Sequence, residues 1–176
     1  WLAGQLQQQG VRLLLGRALR AAQAGSGGVR LALDQEEALD ADQVLVAIGL
    51  APETALAREA GLSIDPANGG IAIGSDGRSS DPCVFAAGDC ASQRHPHLGL
   101  TLRLESWQNA NEQAQAAAAG MLGLAPPAAP YPWFWTDQGE HNLQMLGLAQ
   151  PGLQYVRRGD PAAAKAVWIG HRDSMP

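Results

Sequence analysis

The chain has 176 residues, 46% of them apolar, which is one domain's worth or at most two small ones and enough for a core rather than a disordered tail. Its 12 Lys and Arg against 17 Asp and Glu give a net charge of -5, with no basic tract anywhere, which argues against nucleic acid as a partner. No apolar run reaches the roughly 18 residues of a membrane span, and residues 1–10 lack the basic, apolar, small-residue order of a signal peptide.

Charged residues make up only 16%. The surface is therefore rich in Ala, Gln, Gly and Ser, or it is covered by something else. The first residue is Trp1 rather than Met, from which the removal of an upstream segment is expected. Cys83 and Cys90 form neither a CxxC pair nor a disulfide framework and fit a reducing compartment, with a structural role ahead of a redox one.

In chain order, the Gln-rich stretch Leu2 to Gln9 reads as the tail of a helix. Three strands are expected next. The glycine-bounded run Gly10 to Gly16 and the alternating Val29 to Leu33 are the first two, and the continuous apolar run Gln43 to Gly49 has the pattern of a buried strand. Gly25-Ser26-Gly27-Gly28 falls between strands and reads as a hairpin loop. Pro52 opens a helix over Glu53 to Ala60 that Gly61 ends. The loop Asn68-Gly69-Gly70 leads to a short strand at Ile71 to Ile73, and Cys83 to Ala87 makes another that ends in Gly88-Asp89.

The strongest helix follows. Trp107, Ala110, Ala114, Ala117 and Met121 recur at three and four residues and draw one apolar stripe, Ser106 stands at the N-cap, and Gly123 with Pro126-Pro127 stops it. Ala125 to Pro130 reads as a linker. Beyond it lie the aromatic cluster Tyr131 to Trp135 and strand-like runs at Leu143 to Leu148, Gln154 to Arg157 and Ala166 to Ile169. This β-rich module has few residues for a core of its own.

Several chemistries are absent from the pattern. No GxGxxG or GxxxxGK[ST] phosphate loop and no GxSxG elbow occurs. His95 and His97 flank a proline, but no second ligand pair of metal-site spacing follows, and a solvated loop is the expected reading. The informative string is Ser79-Ser80-Asp81-Pro82-Cys83-Val84-Phe85-Ala86-Ala87-Gly88-Asp89-Cys90. A buried strand ending in Gly-Asp would carry a carboxylate to the carboxyl edge of a sheet, where α/β folds bind ligands. An ionised Asp only accepts hydrogen bonds, so its partner is either a ligand hydroxyl or the next turn of the chain, and spacing leaves both open.

That string resembles the second flavin-binding motif of the FAD-dependent pyridine nucleotide-disulfide oxidoreductase superfamily. Three more strings make the chain similar to the ferredoxin reductase branch, whose flavoproteins feed electrons to oxygenases and cytochromes P450. They are Val44-Leu45-Val46-Ala47-Ile48-Gly49-Leu50-Ala51-Pro52, Arg103-Leu104-Glu105-Ser106-Trp107-Gln108-Asn109-Ala110 and Pro132-Trp133-Phe134-Trp135-Thr136-Asp137-Gln138. The likeness runs in order from about Gly10 to Leu148, and Pro151 onward matches weakly. It implies an α/β fold, a partial flavoprotein of two dinucleotide-binding domains with a small α+β C-terminal domain. Residues 1–50 would end the NAD(P)H lobe, 51–125 would be the returning segment of the FAD lobe, and 126–176 an incomplete C-terminal domain.

The resemblance also implies roles. Asp89 would bind the FAD ribityl hydroxyls, with Gly88 giving room, and Ser106 and Trp107 would start a helix whose N–H groups point at the flavin pyrimidine edge. Glu105 would help orient the hydride donor, Trp135 (with Trp133 as the lesser candidate) would shield the isoalloxazine, and Ile48 and Gly49 would bring backbone near the nicotinamide nucleotide. FAD is the implied cofactor, NAD or NADP the substrate, and a ferredoxin-type iron-sulfur protein the partner. From composition, the expectations are a cytoplasmic location, self-association into a homo-oligomer on account of the low charge content, and no nucleic acid or membrane partner. Two departures stand out: Trp107 replaces a common Val, and Gly139 replaces a common aromatic. The alternative is a non-catalytic fragment serving folding, dimer contact or partner docking, with the chain by itself inactive.

Overall fold

Ser26-Gly27 is a two-residue turn between two strand-forming runs, the shortest connection an antiparallel pair allows. In the computed structural model, which describes residues 1–35 and 37–172, β1 (Leu19–Gly25) therefore folds back on β2 (Gly28–Leu33), with Gly25 opposite Gly28. β3 (Ala38–Ala41) pairs antiparallel along the other edge of β2. The alternation read in Val29 to Leu33 takes physical form here: Val29, Leu31 and Leu33 are half-buried while Arg30 and Ala32 are exposed. Arg30 meets Asp40 across the β2–β3 pair at 3.3 Å, an exposed ion pair that adds little stability. With α1 (Leu2–Gln8), these elements make the first of two compact units, Trp1–Gly49.

Two expected strands of this unit do not form. The partner of β2 is Leu19–Gly25 rather than the run within Gly10 to Gly16, and Gln43 to Gly49 enters no ladder. Leu45 is 92% exposed and Ile48 90%. A continuous apolar run suits a parallel strand covered on both faces. Among the described residues no strand lies along it, and its apolar side chains stay exposed to solvent.

The second unit is Leu50–Pro176. Pro52 precedes α2 (Ala55–Glu59), which is shorter than the expected Glu53 to Ala60 because Thr54 takes the cap position, and Gly61 follows it. β4 (Ile71–Ile73) runs parallel to β5 (Ala91–Arg94), and β5 pairs antiparallel with β6 (Thr101–Leu102). The expected strand at Cys83 to Ala87 is reduced to one bridge, Phe85 opposite Arg78. Asp89 accordingly stands in the turn just before β5 and not at the carboxyl end of a sheet strand.

α3 (Trp107–Met121) is the longest helix, with Ser106 as its N-cap and Gly123 beyond its end at φ +69°. Its buried stripe differs from the expected one. Gln113, Ala117 and Gly120 are buried and Ala110 is half-buried, whereas Trp107 is 72% exposed and Ala114 and Met121 are exposed. Closeness of approach explains the choice: a Cβ on Gly77 would lie 2.7 Å from that of Ala117, and one on Gly120 would lie 2.7 Å from the Asp76 carbonyl oxygen. Only small side chains fit that contact. Arg78 ties it together by pairing with Asp76 at 3.2 Å, donating to the Gly120 carbonyl at 3.2 Å and to the Pro82 carbonyl, and lying 4.5 Å from the Phe85 ring centre.

The core is correspondingly built of small residues, Ala57, Ala91 and Ala117 with Ile71, together with the buried polar Thr54, Ser92 and Gln113. After the linker, β7 (Trp133–Gln138) and β8 (His141–Leu146) form one hairpin. β9 (Gln154–Asp160), a 3-10 turn at Pro161–Ala163 and β10 (Lys165–His171) form another. All three strand-like runs read beyond the linker are strands. Among the described residues no helix is long and apolar enough to cross a membrane.

Candidate functional site

Gly88 is buried and has φ +82°, a conformation that glycine adopts without the steric penalty of a Cβ. Within this chain the demand for glycine is conformational rather than spatial, since a Cβ there would meet Ala110 at an ordinary 3.5 Å. Its N–H donates to Gln113 Oε1 at 2.8 Å, and Gln113 Nε2 donates on to Gln93 Oε1 at 3.2 Å. A buried amide of α3 thus holds the turn from below. Asp89, next in the chain, is exposed, and its carboxylate has no hydrogen-bond partner among the described residues. It does not cap the turn, which closes instead through Ala91 N–H to the Gly88 carbonyl at 2.9 Å. The Cys90 thiol donates to the Ala87 carbonyl at 3.6 Å, and both cysteines are free.

Ser106 Oγ accepts from the Asn109 N–H at 3.2 Å, and Asn109 Nδ2 donates to the Leu104 carbonyl at 2.9 Å. The cap serves one first-turn donor only. Helix geometry leaves the N–H groups of Trp107 and Gln108 without an intrahelical partner, at the end where the helix dipole is positive. Glu105, just before the cap, pairs with Arg103 at 2.6 Å. Trp107 meets Trp135 of β7 edge-on at 6.2 Å between ring centres, and Trp135 stacks on Trp133 at 4.8 Å. Of the two candidates on β7, Trp135 is the one against Trp107, which is 72% exposed, while Trp133 and Trp135 are half-buried.

The chain therefore brings Gly88, Asp89, Glu105, Ser106, Trp107 and Trp135 onto the segments around the start of α3. Ile48 and Gly49 lie in the other unit, where Gly49 has φ +88°. The chemistry of the clustered set fits a flavin dinucleotide: an unpartnered carboxylate for a hydroxyl-bearing chain, free N–H donors for an acceptor edge, and indole rings for a planar heterocycle. A cleft of about 270 Å³ lies along α3 and shares Ser106 with this set. Ser106, Gln108, His95 and Trp133 line it, and Asp89, Glu105, Trp107 and Trp135 do not.

His95 and His97 lie in an exposed loop, as expected, and each ring also meets a carbonyl of the linker. His95 Nε2 lies 3.1 Å from the Pro130 carbonyl and His97 Nε2 2.7 Å from that of Ala129, and His97 stacks on Tyr131 at 4.7 Å. A carbonyl only accepts, so the ring proton sits on Nε2 in both. The two rings pin the linker, and among the described residues no cluster of three or more ligating side chains exists. Sequence reading also passed over Arg103, Asn68 and Gln113. Arg103 stood inside a quoted motif as one of few charges in an apolar stretch, which is the signal it offered.

Residues 1–114 match the family described as pyridine nucleotide-disulphide oxidoreductase, and residues 133–175 match the family described as reductase C-terminal. The second match carries the likeness past Pro151, where the sequence alone resembled the family weakly. The chain is similar to the ferredoxin reductase for the CYP199A2 system from Rhodopseudomonas palustris, at 34% identity over 97% of this chain and 42% of that one, with a TM-score of 0.88. It is also similar to the putidaredoxin reductase of a covalent complex with putidaredoxin, at 32% identity over 96% of this chain and 41% of that one, with a TM-score of 0.86. An NAD-dependent persulfide reductase from A. fulgidus, at 23% identity over 89% of this chain and 30% of that one, shares the fold with a TM-score of 0.78. The chain spans about two fifths of the length of the first two.

Proposed function

The chain belongs to the pyridine nucleotide-disulphide oxidoreductase family, and from that membership we propose that it carries the flavin-facing part of an FAD-dependent NAD(P)H oxidoreductase whose electrons pass to a ferredoxin-type iron-sulfur protein. The observation that carries this reading is the pairing of an exposed, unpartnered Asp89 carboxylate with the unfilled N–H groups at the start of α3. The two similar ferredoxin and putidaredoxin reductases support the choice of acceptor.

FAD, when bound, supplies the chemistry by taking a hydride from the nicotinamide and releasing electrons singly. Asp89 would accept hydrogen bonds from the ribityl hydroxyls, on a turn that Gly88 anchors to Gln113 of α3. The N–H groups of Trp107 and Gln108 would hold the acceptor edge of the flavin, at the positive end of the helix, which favours negative charge. Trp135 would exclude water from one side of the ring, and Glu105 would orient the nicotinamide. Ile48 and Gly49 offer backbone to the nicotinamide nucleotide. No acid/base dyad is required of the protein, in keeping with its absence from the sequence patterns. In domain terms, residues 1–50 serve the NAD(P)H lobe, 51–125 the FAD lobe and 126–176 the C-terminal domain, and the free thiols suit a reducing cytoplasm.

A titration with FAD followed by flavin absorbance and fluorescence tests this. Asp89→Ala is expected to raise the Kd at least tenfold, on the order of losing hydrogen bonds to a charged acceptor. An unchanged Kd removes Asp89 from the site. A second reading, in which the chain by itself is a non-catalytic piece that folds or docks with another polypeptide, is favoured by the exposure of Leu45 and Ile48. Steady oxidation of NADH by the chain alone would exclude it.

A further inference from the structure

The flavin reading gives no role to Arg103, whose side chain is only 12% exposed. A cation so far removed from water is costly unless its donors are matched. All three of its nitrogens are: Nε donates to the Asn68 carbonyl at 3.2 Å, Nη1 to the Asp89 carbonyl at 2.9 Å, and Nη2 lies 2.6 Å from Glu105 Oε1. Gly70 makes space for the stem, since a Cβ there would stand 3.0 Å from Arg103 Cδ and 3.0 Å from Ser92 Cβ. Asn68 is itself fixed, its Nδ2 donating to Asp65 Oδ2 and to the buried Ser92 Oγ, each at 2.9 Å.

Three segments far apart in sequence therefore converge on one guanidinium: the 65–70 loop, the turn carrying Asp89, and the connection from β6 to α3. The rigid guanidinium plane reaches the three acceptors from three separate nitrogens, a geometry that the single nitrogen of a lysine does not reproduce. We propose that Arg103 is a positioning residue that locks the Asp89 turn to the Asn68 loop and holds Glu105 as half of an ion pair, so that the bound flavin faces a neutralised carboxylate. This rests on the flavin reading above and deepens it. A lone carboxylate beside the ring would oppose the negative charge that reduction brings, and the adjacent guanidinium offsets that opposition.

The test uses the full chain and its Arg103→Gln, Arg103→Lys and Arg103→Gln/Glu105→Gln variants. Without flavin, exchange of the Ala91 amide is expected to be roughly tenfold faster or more in Arg103→Gln, and still fast in Arg103→Lys, which keeps charge but not the fork. Wild-type exchange in Arg103→Gln overturns the proposal whether or not flavin binds. With FAD bound, Arg103→Gln is expected to lower the flavin midpoint potential, while Arg103→Lys and the double variant return it toward wild type. A potential that does not move in Arg103→Gln, or a fall that the double variant keeps, overturns the electrostatic half. A wild-type chain that takes up no FAD overturns the flavin reading and that half with it, a result separate from the exchange measurement.

Discussion

Asp65 collects hydrogen bonds from Ser92 Oγ at 2.7 Å, the Ala67 N–H at 2.9 Å and Asn68 Nδ2 at 2.9 Å. These donors, the Ser92 hydroxyl foremost, hold its carboxyl below the ordinary 3.8, against a smaller opposing effect of burial. A folded pKa depressed below the unfolded one contributes stability that is fully present above about pH 4 and is lost as pH falls through the lower, folded value. Asp65→Asn, which turns an NH2 toward Ser92 and Asn68, is expected to lower the urea midpoint at pH 7. Its deficit against wild type is expected to shrink at pH 3. An equal deficit at both values would mean that the charge of Asp65 is not what the loop uses. At this scale the Ser106 cap was legible because a cap acts within three residues, and the exposure of Asp89 confirmed that it is not spent on its own turn. Arg103 and Asn68 were not legible, since their contact joins positions 35 apart and leaves no local pattern.

The elements were read well where their signal is local. The turn at Ser26-Gly27, the helix at Trp107 and the strands after the linker all formed, because turn chemistry and periodicity act over a few residues. The buried face of α3 is only partly the expected one, for Ala117 is buried and Ala110 half-buried while Trp107, Ala114 and Met121 are exposed. Periodicity marks the stripe with the largest apolar residues, but the contact with Gly77 and Asp76 admits only the smallest ones. Gly120→Ala decides between two effects. Intrinsic propensity favours Ala in a helix by about 1 kcal/mol, whereas a Cβ 2.7 Å from the Asp76 backbone oxygen and 3.0 Å from Phe85 forces a shift costing roughly 1–3 kcal/mol. The clash is expected to win and the thermal midpoint to fall; a rise in calorimetry would show that the 74–78 loop yields freely. The runs at 43–49 and 83–87 teach a related point, for an apolar run states that a strand wants cover and not where its neighbour is.

For the whole molecule the dominant fact is how much apolar surface stays in water. Leu45, Ile48, Leu56, Trp107, Leu122 and Leu146 are each more than 70% exposed. The core offsets this poorly, since three of its four buried apolar side chains are alanines. Apolar surface of this kind drives association. The isolated chain is expected to show a weight-average mass that climbs with concentration in light scattering, and Leu45→Gln with Ile48→Gln is expected to weaken the climb. A monodisperse monomer at high concentration would contradict this.

The sequence by itself determined the family, the turn at Ser26-Gly27, the N-cap of α3 and the strands after the linker, because all of these are written in short local strings. Only the tertiary structure decided that Asp89 is free, that the two histidines pin the linker, that α3 buries its small face and that Arg103 gathers three segments. Each of those depends on which backbone atom comes near a side chain from a remote position, and distance in space has no signature in a single sequence.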